Sequence, residues 1–187
     1  PVVQLPGRFS RVQVEARLAE IDDTAAAIKA AESVAVVWIE SPTIPGLLIA
    51  DIEAISRAAS KAGAAVAVDN TFATPLRQRP LELGADFVVH SASKLLSGHS
   101  DVILGAIVTN SDRAHRAIQA RRSTLGAIPG AMETWLAARG IRTLHVRLDR
   151  AEATARELHQ RLSASRLISS SRSPGFGTLI AFAIPAW

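Results

Sequence analysis

The stretch AVAVDNTFATPLRQRPLELGADFVVHSASK, residues 65–94, decides the fold. It begins with an apolar run that ends on Asp69, and its second apolar run ends on His90 and Ser91, shortly before Lys94. Near-continuous apolar runs of this length, set between turn residues, are typical of buried strands in a parallel sheet. Because each polar group follows a strand, the sequence predicts that an acid and an amine reach the same edge of one sheet.

The polar residues at these strand ends suit pyridoxal phosphate (PLP). Lys94 would form a Schiff base with the cofactor, and Asp69 would keep the pyridine nitrogen protonated so that the ring withdraws electrons. Ser91 and Ser93 would bind the phosphate. Simpler interpretations exist: Lys94 could be a surface residue, Asp69 could cap the following loop, and the serines could satisfy a turn. The combination of all four residues favours the cofactor site.

Alternating strands and helices predict a parallel sheet with helices on its faces. Glu40 follows another apolar run and is predicted to lie at the same sheet edge, where we expect it to organise a loop rather than catalyse. The predicted strands, in chain order, cover residues 11–21, 34–39, 65–69, 87–90, 103–109 and 177–184. The predicted helices cover residues 24–31, 51–62, 111–122, 131–138 and 141–162, with a short helical turn at 81–84 and loops at 71–79 and 163–173. The helix predicted at 141–162 is long enough to connect to a second domain.

The composition is that of an ordinary globular protein. Of the 187 residues, 48% are hydrophobic and 20% are charged, and the formal net charge is +4. The basic stretches 113–122 and 139–150 are interleaved with Ala and Leu at helical spacing, which indicates solvated helix faces rather than a nucleic-acid site. No cysteine, membrane-length apolar run or signal-peptide pattern is found, so we expect a cytoplasmic location and no membrane partner. No metal site is predicted.

Several motifs occur in an order and spacing that resemble one family of PLP enzymes. They are ESPT at 40–43, DIEAI at 51–55, VDNTFATP at 68–75, QRPLELGADFVVHSASK at 78–94 and GHSDVILGAIV at 98–108. The stretches WLAARGIRTLHVRLDRAEATA, from residue 135, and GFGTLIAF, from residue 175, extend the likeness. Together they resemble the cystathionine γ-synthase/γ-lyase family of Cys and Met metabolism, with the chain covering about half of such an enzyme.

The resemblance implies an aspartate-aminotransferase-type fold (fold type I), with a mostly parallel sheet and flanking helices, and a homo-oligomer whose active sites are shared between chains. It divides the chain into a partial large α/β domain, residues 1–140, and a linking helix with the start of a small C-terminal domain, residues 141–187. It implies PLP as cofactor and a sulfur-containing or O-acylated amino acid as substrate. Lys94 matches the lysine that binds PLP, Asp69 matches the acid at the pyridine nitrogen, and Ser91 and Ser93 match the hydroxyls near the phosphate.

The sequence also departs from the family pattern. Ile44 stands where the family has an Asn, Leu95 replaces a usual aromatic residue, and the 187 residues contain no Tyr to stack on the ring. Family segments that carry this Tyr and the arginine for the substrate carboxylate have no match here. Three hypotheses follow: a PLP-dependent carbon–sulfur lyase or γ-replacement enzyme, an inactive truncated remnant of one, or a subunit that completes sites on another chain. We expect little activity from the isolated chain.

Other polar and aromatic residues are predicted to be structural. His99 and Asp101, just after Lys94, are expected to form a hydrogen-bonded turn rather than an acid–base pair. His90 is predicted to be a satisfied core residue. Trp38 and Trp135 are predicted to belong to the core or to an interface.

Overall fold

The computed structural model describes residues 19, 21 and 23–185, and they form an α/β structure around a four-stranded sheet. The spatial order of the strands follows the chain, and β1, β2 and β3 are parallel whereas β4 runs antiparallel to β3. The strands are β1 (Val36–Glu40), β2 (Ala65–Asp69), β3 (Phe87–Ser91) and β4 (Gly105–Val108). The predicted mostly parallel sheet is confirmed.

Two helices pack on one face of this sheet. Helix α1 (Thr24–Ala31) and helix α2 (Ile52–Ala62) begin at Asp23 and Asp51, whose side chains each accept a hydrogen bond from a backbone N–H of the first turn. Gly63, at φ +77°, ends α2 in a left-handed conformation that glycine adopts without steric cost. The core between the helices and the sheet is built from β-branched and alanine side chains, among them Ile39, Ile52, Ile55, Ala59, Val66 and Val68.

The strand register brings the polar strand ends together. Glu40 pairs with Asp69 across β1 and β2, and Asp69 pairs with Val89 across β2 and β3, two residues before Ser91. Side chains alternate between the faces of a strand, so Glu40, Asp69 and Ser91 belong to one face of the sheet. The predicted meeting of polar groups at the C-terminal edge of the parallel strands is therefore observed.

That same face of the sheet is open in the described part of the chain. Val36, Trp38 and Ile107 lie on it and are 57%, 61% and 53% exposed. Trp135, on a helix, is 57% exposed. Of the two predicted alternatives for the tryptophans, the core is excluded within the described residues, and an interface role stays a prediction.

Four more helices and a small hairpin complete the described residues. They are α3 (Thr74–Arg77), α4 (Asp112–Leu125), α5 (Ala131–Ile141), α6 (Leu144–Ser163), β5 (Ser170–Arg172) and β6 (Ala181–Ala183), with a 3₁₀ turn at Pro80–Leu83. Helix α6 is attached to α3 by Arg77, which lies 2.6 Å from a carboxylate oxygen of Asp149 and 2.6 Å from one of Glu152. Leu144 and Leu148 of α6 are buried, whereas Leu158, nearer the C-terminal end of the helix, is exposed.

Some elements differ from the sequence-based expectation. The predicted loop 71–79 contains the single helical turn α3, and the predicted loop 163–173 contains β5, which pairs with β6. These elements are only four and three residues long, too short for a periodic pattern to reveal them. Most of the strand predicted at 11–21 lies outside the described residues.

Candidate active site

Asp69 terminates β2 and organises the turn that follows it. Its Oδ1 accepts hydrogen bonds from the backbone N–H of Thr71 at 3.0 Å and from the Thr71 hydroxyl at 2.5 Å. This is the loop-capping role that the residue type allows by itself. In the described part of the chain both bonds go to Oδ1, so Oδ2 remains available to a further N–H donor.

Thr71 connects Asp69 to the neighbouring strand end. Its Oγ1 accepts a hydrogen bond from the backbone N–H of Ser91 at 2.8 Å, so that Asp69, Thr71 and Ser91 form one chain of hydrogen bonds across β2 and β3. Sequence reasoning did not single out Thr71. The signal was present, since a hydroxyl residue two positions after an Asp is a common turn pattern.

Ser93 fastens the segment that precedes Lys94. Its Oγ accepts a hydrogen bond from the backbone N–H of Leu104 at 2.8 Å and lies 3.3 Å from the carbonyl oxygen of the same residue. The second distance is long for a hydroxyl donor, so little is lost if the O–H turns toward another acceptor. The phosphate-binding roles of Ser91 and Ser93 stay predictions.

The amine of Lys94 lies over the ring of Phe72, with Nζ 4.3 Å from the ring centroid. Phe72 follows Thr71 in the turn after β2, so the contact draws the lysine toward the strand end that carries Asp69. The chain has three lysines, and the other two, Lys29 and Lys61, occupy the last turns of α1 and α2. Lys94 is therefore the single lysine beside the polar strand ends.

Glu40 is electrostatically coupled to this group. Burial raises the pKa of Glu40, and the Asp69 carboxylate raises it further, whereas the backbone N–H of Ile44 and the amine of Lys94 lower it. The interaction with Ile44 agrees with the predicted loop-organising role. Ile44 itself is 47% exposed and presents an alkyl side chain at this loop.

Glu40→Gln is expected to stabilise the chain at neutral pH. Because the pKa of Glu40 is raised in the folded state, its ionised form costs stability as the pH rises through the carboxyl range, and an amide avoids that cost. Solvent screens this exposed residue, so the gain should stay below about 1 kcal/mol and vanish at a pH where carboxyls are protonated. Chemical denaturation at both pH values measures it, with Glu133→Gln on α5 as control. A loss of stability at neutral pH would contradict the expectation.

A pair of amide side chains, buried Asn70 and half-buried Gln78, supports the loops around the site. Asn70 donates to the carbonyl oxygen of Gln78 at 2.9 Å, and the Gln78 amide donates to Asn70 Oδ1 at 2.9 Å and to the Ser41 carbonyl at 3.1 Å. Ser41 Oγ accepts from the backbone N–H of Ala50 at 3.2 Å. Asn70 and Ser41 are 1% exposed. These contacts hold the turns after β1 and β2 in place, and sequence reasoning did not identify them.

The histidines and Asp101 have structural positions. His99 Nδ1 lies 2.6 Å from the Ser97 carbonyl oxygen, and Asp101 accepts from the Ser97 hydroxyl at 3.0 Å, which confirms the predicted hydrogen-bonded turn. His90 is 5% exposed, and burial lowers its pKa. The predicted core position of His90 is confirmed, but the prediction that its side chain is satisfied is wrong for Nδ1, a buried atom with no hydrogen-bond partner in the described residues.

The residues present fit PLP. Asp69 offers a carboxylate oxygen without a hydrogen bond to an N–H donor, and Lys94 offers an exposed amine beside an aromatic ring. Ser91 and Ser93 lie between these two groups along the chain, on backbone that is fastened at both serines. In the described residues no group of three His, Cys, Asp or Glu side chains could hold a metal ion.

The comparison with protein families decides the assignment. The model of the Cys/Met metabolism PLP-dependent enzymes matches residues 4–184 of the 187. The chain belongs to this family. The resemblance derived from its motifs is therefore confirmed, and so is PLP as the cofactor of the family.

Individual relatives agree with the family assignment. The chain is 40% identical over 161 residues to a cystathionine β-lyase of Lactococcus lactis, covering 86% of this chain and 42% of the relative. It is 41% identical over 170 residues to a cystathionine γ-synthase of Mycobacterium tuberculosis, covering 89% and 43%. The solved structure of a methionine γ-lyase from Micromonospora echinospora superposes with a TM-score of 0.86 at 38% identity, over 89% of this chain and 50% of that one.

These comparisons establish the fold and the family of the chain. The structure corresponds to part of a fold type I PLP enzyme. The chain spans less than half the length of the two curated relatives. The three relatives carry different activities in their names, so the family is shown and the individual reaction is not. No helix in the described ranges is long and apolar enough to cross a membrane.

Proposed function

We propose that this member of the family provides the lysine-bearing part of a PLP-dependent carbon–sulfur lyase or γ-replacement enzyme. The observation that carries the proposal is that Asp69, at the end of β2, and the segment with Ser91, Ser93 and Lys94, at the end of β3, meet at one edge of the sheet. The substrate is a sulfur-containing amino acid, as the names of the similar proteins suggest, or an O-acylated amino acid, as the family resemblance implies. We also propose a cytoplasmic homo-oligomer and a division into a partial large domain, residues 1–140, and the start of a small domain, residues 141–187.

Each residue has a distinct role in this proposal. PLP, when bound, withdraws electrons from the bond to the substrate Cα. Lys94 Nζ would hold the cofactor covalently, and its amine, once free, would remove the Cα proton and return a proton to a neighbouring carbon. The Asp69 carboxylate would keep the pyridine nitrogen protonated. Ser91 and Ser93 would donate hydroxyl hydrogens to the phosphate.

A second candidate is a chain that binds PLP but completes its site only together with another polypeptide. Two observations favour it: the 187 residues contain no Tyr, and the sheet face that carries Asp69 and Ser91 is open in the described residues. Ile44 places an alkyl group where the family has an amide. Substrate orientation supplies several kcal/mol of catalysis in general, so a site that lacks its orienting groups turns over slowly.

Product analysis tests both candidates. The purified chain is supplied with PLP and cystathionine, alone or mixed with a polypeptide covering the unmatched part of the Lactococcus relative. Pyruvate indicates β-cleavage and 2-oxobutanoate indicates γ-cleavage, while cystathionine formed from an O-acylhomoserine and cysteine indicates γ-replacement. We expect the chain alone to stay well below about 1 turnover per second, and the mixture to be faster. Lys94→Ala is the inactive control, and a mixture that binds PLP without releasing any product would contradict the lyase proposal.

A further inference from the structure

The side chain of Arg147, on α6, binds three backbone carbonyl oxygens from two other segments of the chain. Nη1 donates to Leu95 O at 3.0 Å, and Nη2 donates to Leu96 O at 3.2 Å and to Gly140 O at 2.8 Å. Nε donates to the hydroxyl of Thr143 at 3.1 Å. The residues bound through Nη1 and Nη2 include the two that directly follow Lys94.

This arrangement requires an arginine. In the described residues Arg147 forms no ion pair with a carboxylate. The N–H groups of its planar guanidinium donate to uncharged carbonyl and hydroxyl oxygens instead. Gly140 lies in the last turn of α5, where a cation also interacts favourably with the helix dipole. A lysine has a single ammonium group without the planar, fixed donor geometry of arginine. It could not donate to several of these carbonyls at once.

Two glycines allow these two backbone segments to approach the guanidinium and each other. Gly98 has φ +74°, and a Cβ added there would lie 1.9 Å from Arg147 Nη1. A Cβ added to Gly140 would lie 2.2 Å from the carbonyl oxygen of Ser97. The turn after Lys94 and the end of α5 are therefore in close backbone contact, with the guanidinium between them and α6.

The backbone of Lys94 is consequently held from both sides. Before it, Ser93 is fastened to Leu104, and the N–H of Lys94 itself donates to Ser91 O at 3.1 Å. After it, the N–H of Gly98 donates to the Lys94 carbonyl at 2.7 Å, within the turn whose other carbonyls bind Arg147. Removing the guanidinium would loosen the second side, because the carbonyls of Leu95 and Leu96 would lose this donor, whereas Gly140 O would keep the backbone N–H and the hydroxyl of Thr143.

We propose that Arg147 is a positioning residue that holds the backbone of Lys94 in the geometry needed for covalent capture of PLP. This proposal rests on the proposed function, in which the Lys94 amine binds PLP. Arg147 acts through the turn at residues 95–98 and contacts neither cofactor nor substrate. Its effect is therefore local to this turn and separable from the stability of the sheet.

The test compares Arg147→Ala and Arg147→Lys with the control variant Arg150→Ala. Arg150 is an exposed arginine on the same helix and forms no ion pair in the described residues. Amide hydrogen exchange without PLP is read at Ser97 and Gly98 in the turn, and at Val66 and Val68 in β2. With PLP, the fraction of bound cofactor that borohydride traps on Lys94 is measured separately from total PLP bound.

In Arg147→Ala we expect exchange at Gly98 to accelerate roughly tenfold or more, since hydrogen bonds to a charged donor are lost. Exchange in β2 should not change. Total PLP binding should fall less than the trapped fraction, because Asp69 and Ser91 remain in place. Arg147→Lys should recover part of the exchange protection in the turn and part of the trapped fraction. If the alanine variant does not fold, the lysine variant is compared with Arg150→Ala in its place.

Two results would overturn the proposal. The first is a variant whose turn exchange and trapped fraction equal those of Arg150→Ala. The second is a loss of protection in β2 as large as that in the turn, which would make Arg147 a general stability residue. Failure of the proposed function is seen independently, as covalent label that persists in Lys94→Ala, and the exchange data do not depend on it.

Discussion

Lys94→Ala is expected to abolish covalent attachment of PLP to this chain. Lys94 is the single lysine at the polar strand ends, since Lys29 and Lys61 belong to the last turns of α1 and α2. Without its amine no other side chain in the described site can form the bond to the carbonyl carbon of PLP. The visible absorbance band of lysine-bound PLP and the borohydride-trapped label should both disappear.

Lys61→Ala is the matched control for this experiment, because it removes an exposed lysine and leaves the sheet edge unchanged. Peptide mapping of the reduced adduct should place the label on the peptide that contains Lys94. If the band and the label survive in Lys94→Ala, the assignment of the cofactor lysine is wrong, whatever the activity of the chain.

Asp69→Asn should strongly reduce electron withdrawal and leave the fold intact. The amide keeps an Oδ1 acceptor for Thr71, so the turn after β2 is retained, but it no longer carries the charge that stabilises a protonated pyridine. Loss of a preorganised electrostatic partner typically costs roughly 10²-fold or more, so we expect a reduction of that order in proton exchange at the substrate Cα.

Exchange of the Cα proton with deuterated solvent, followed by NMR on the PLP-loaded chain, measures this effect without requiring complete turnover. Asp101→Asn is the control, because Asp101 belongs to the turn after Lys94 and accepts a hydrogen bond from Ser97. PLP affinity should fall less than the exchange rate, since Ser91 and Ser93, the proposed phosphate-binding serines, are unchanged. If the Asp69→Asn variant exchanges the proton as fast as the unchanged chain, Asp69 has no electron-sink role.

Local patterns predicted most of the sheet and the helices. Helix α2 was recognisable because Asp51 and Gly63 flank an amphipathic run, and the observed caps lie at these two residues. Strand β2 was recognisable as an apolar run that ends at a polar residue, and its observed bounds are the predicted ones. The direction of β4 was not predictable, because strand direction depends on how the loop at 92–104 returns the chain to the sheet.

By itself the sequence determined the family, the cofactor and the set of residues at the polar edge. The order and spacing of the motifs carry this information. Asp69 and Ser91 each end an apolar run that forms a strand, and Lys94 follows three residues after Ser91. Parallel strands then bring their C-terminal ends to one edge whatever the details of packing. For that reason the predicted meeting of these strand ends required no tertiary information beyond the sheet itself.

Only the tertiary structure decided how these residues are held. Thr71 joins Asp69 to the strand end at Ser91, Phe72 receives the Lys94 amine, and Arg147 binds carbonyls more than fifty residues away along the chain. Such contacts depend on directions and distances between segments, and a single sequence carries no periodicity that reports them. The physical reason is that hydrogen bonds to backbone carbonyls are indifferent to the residue that supplies the acceptor, so no residue pattern marks where Arg147 binds.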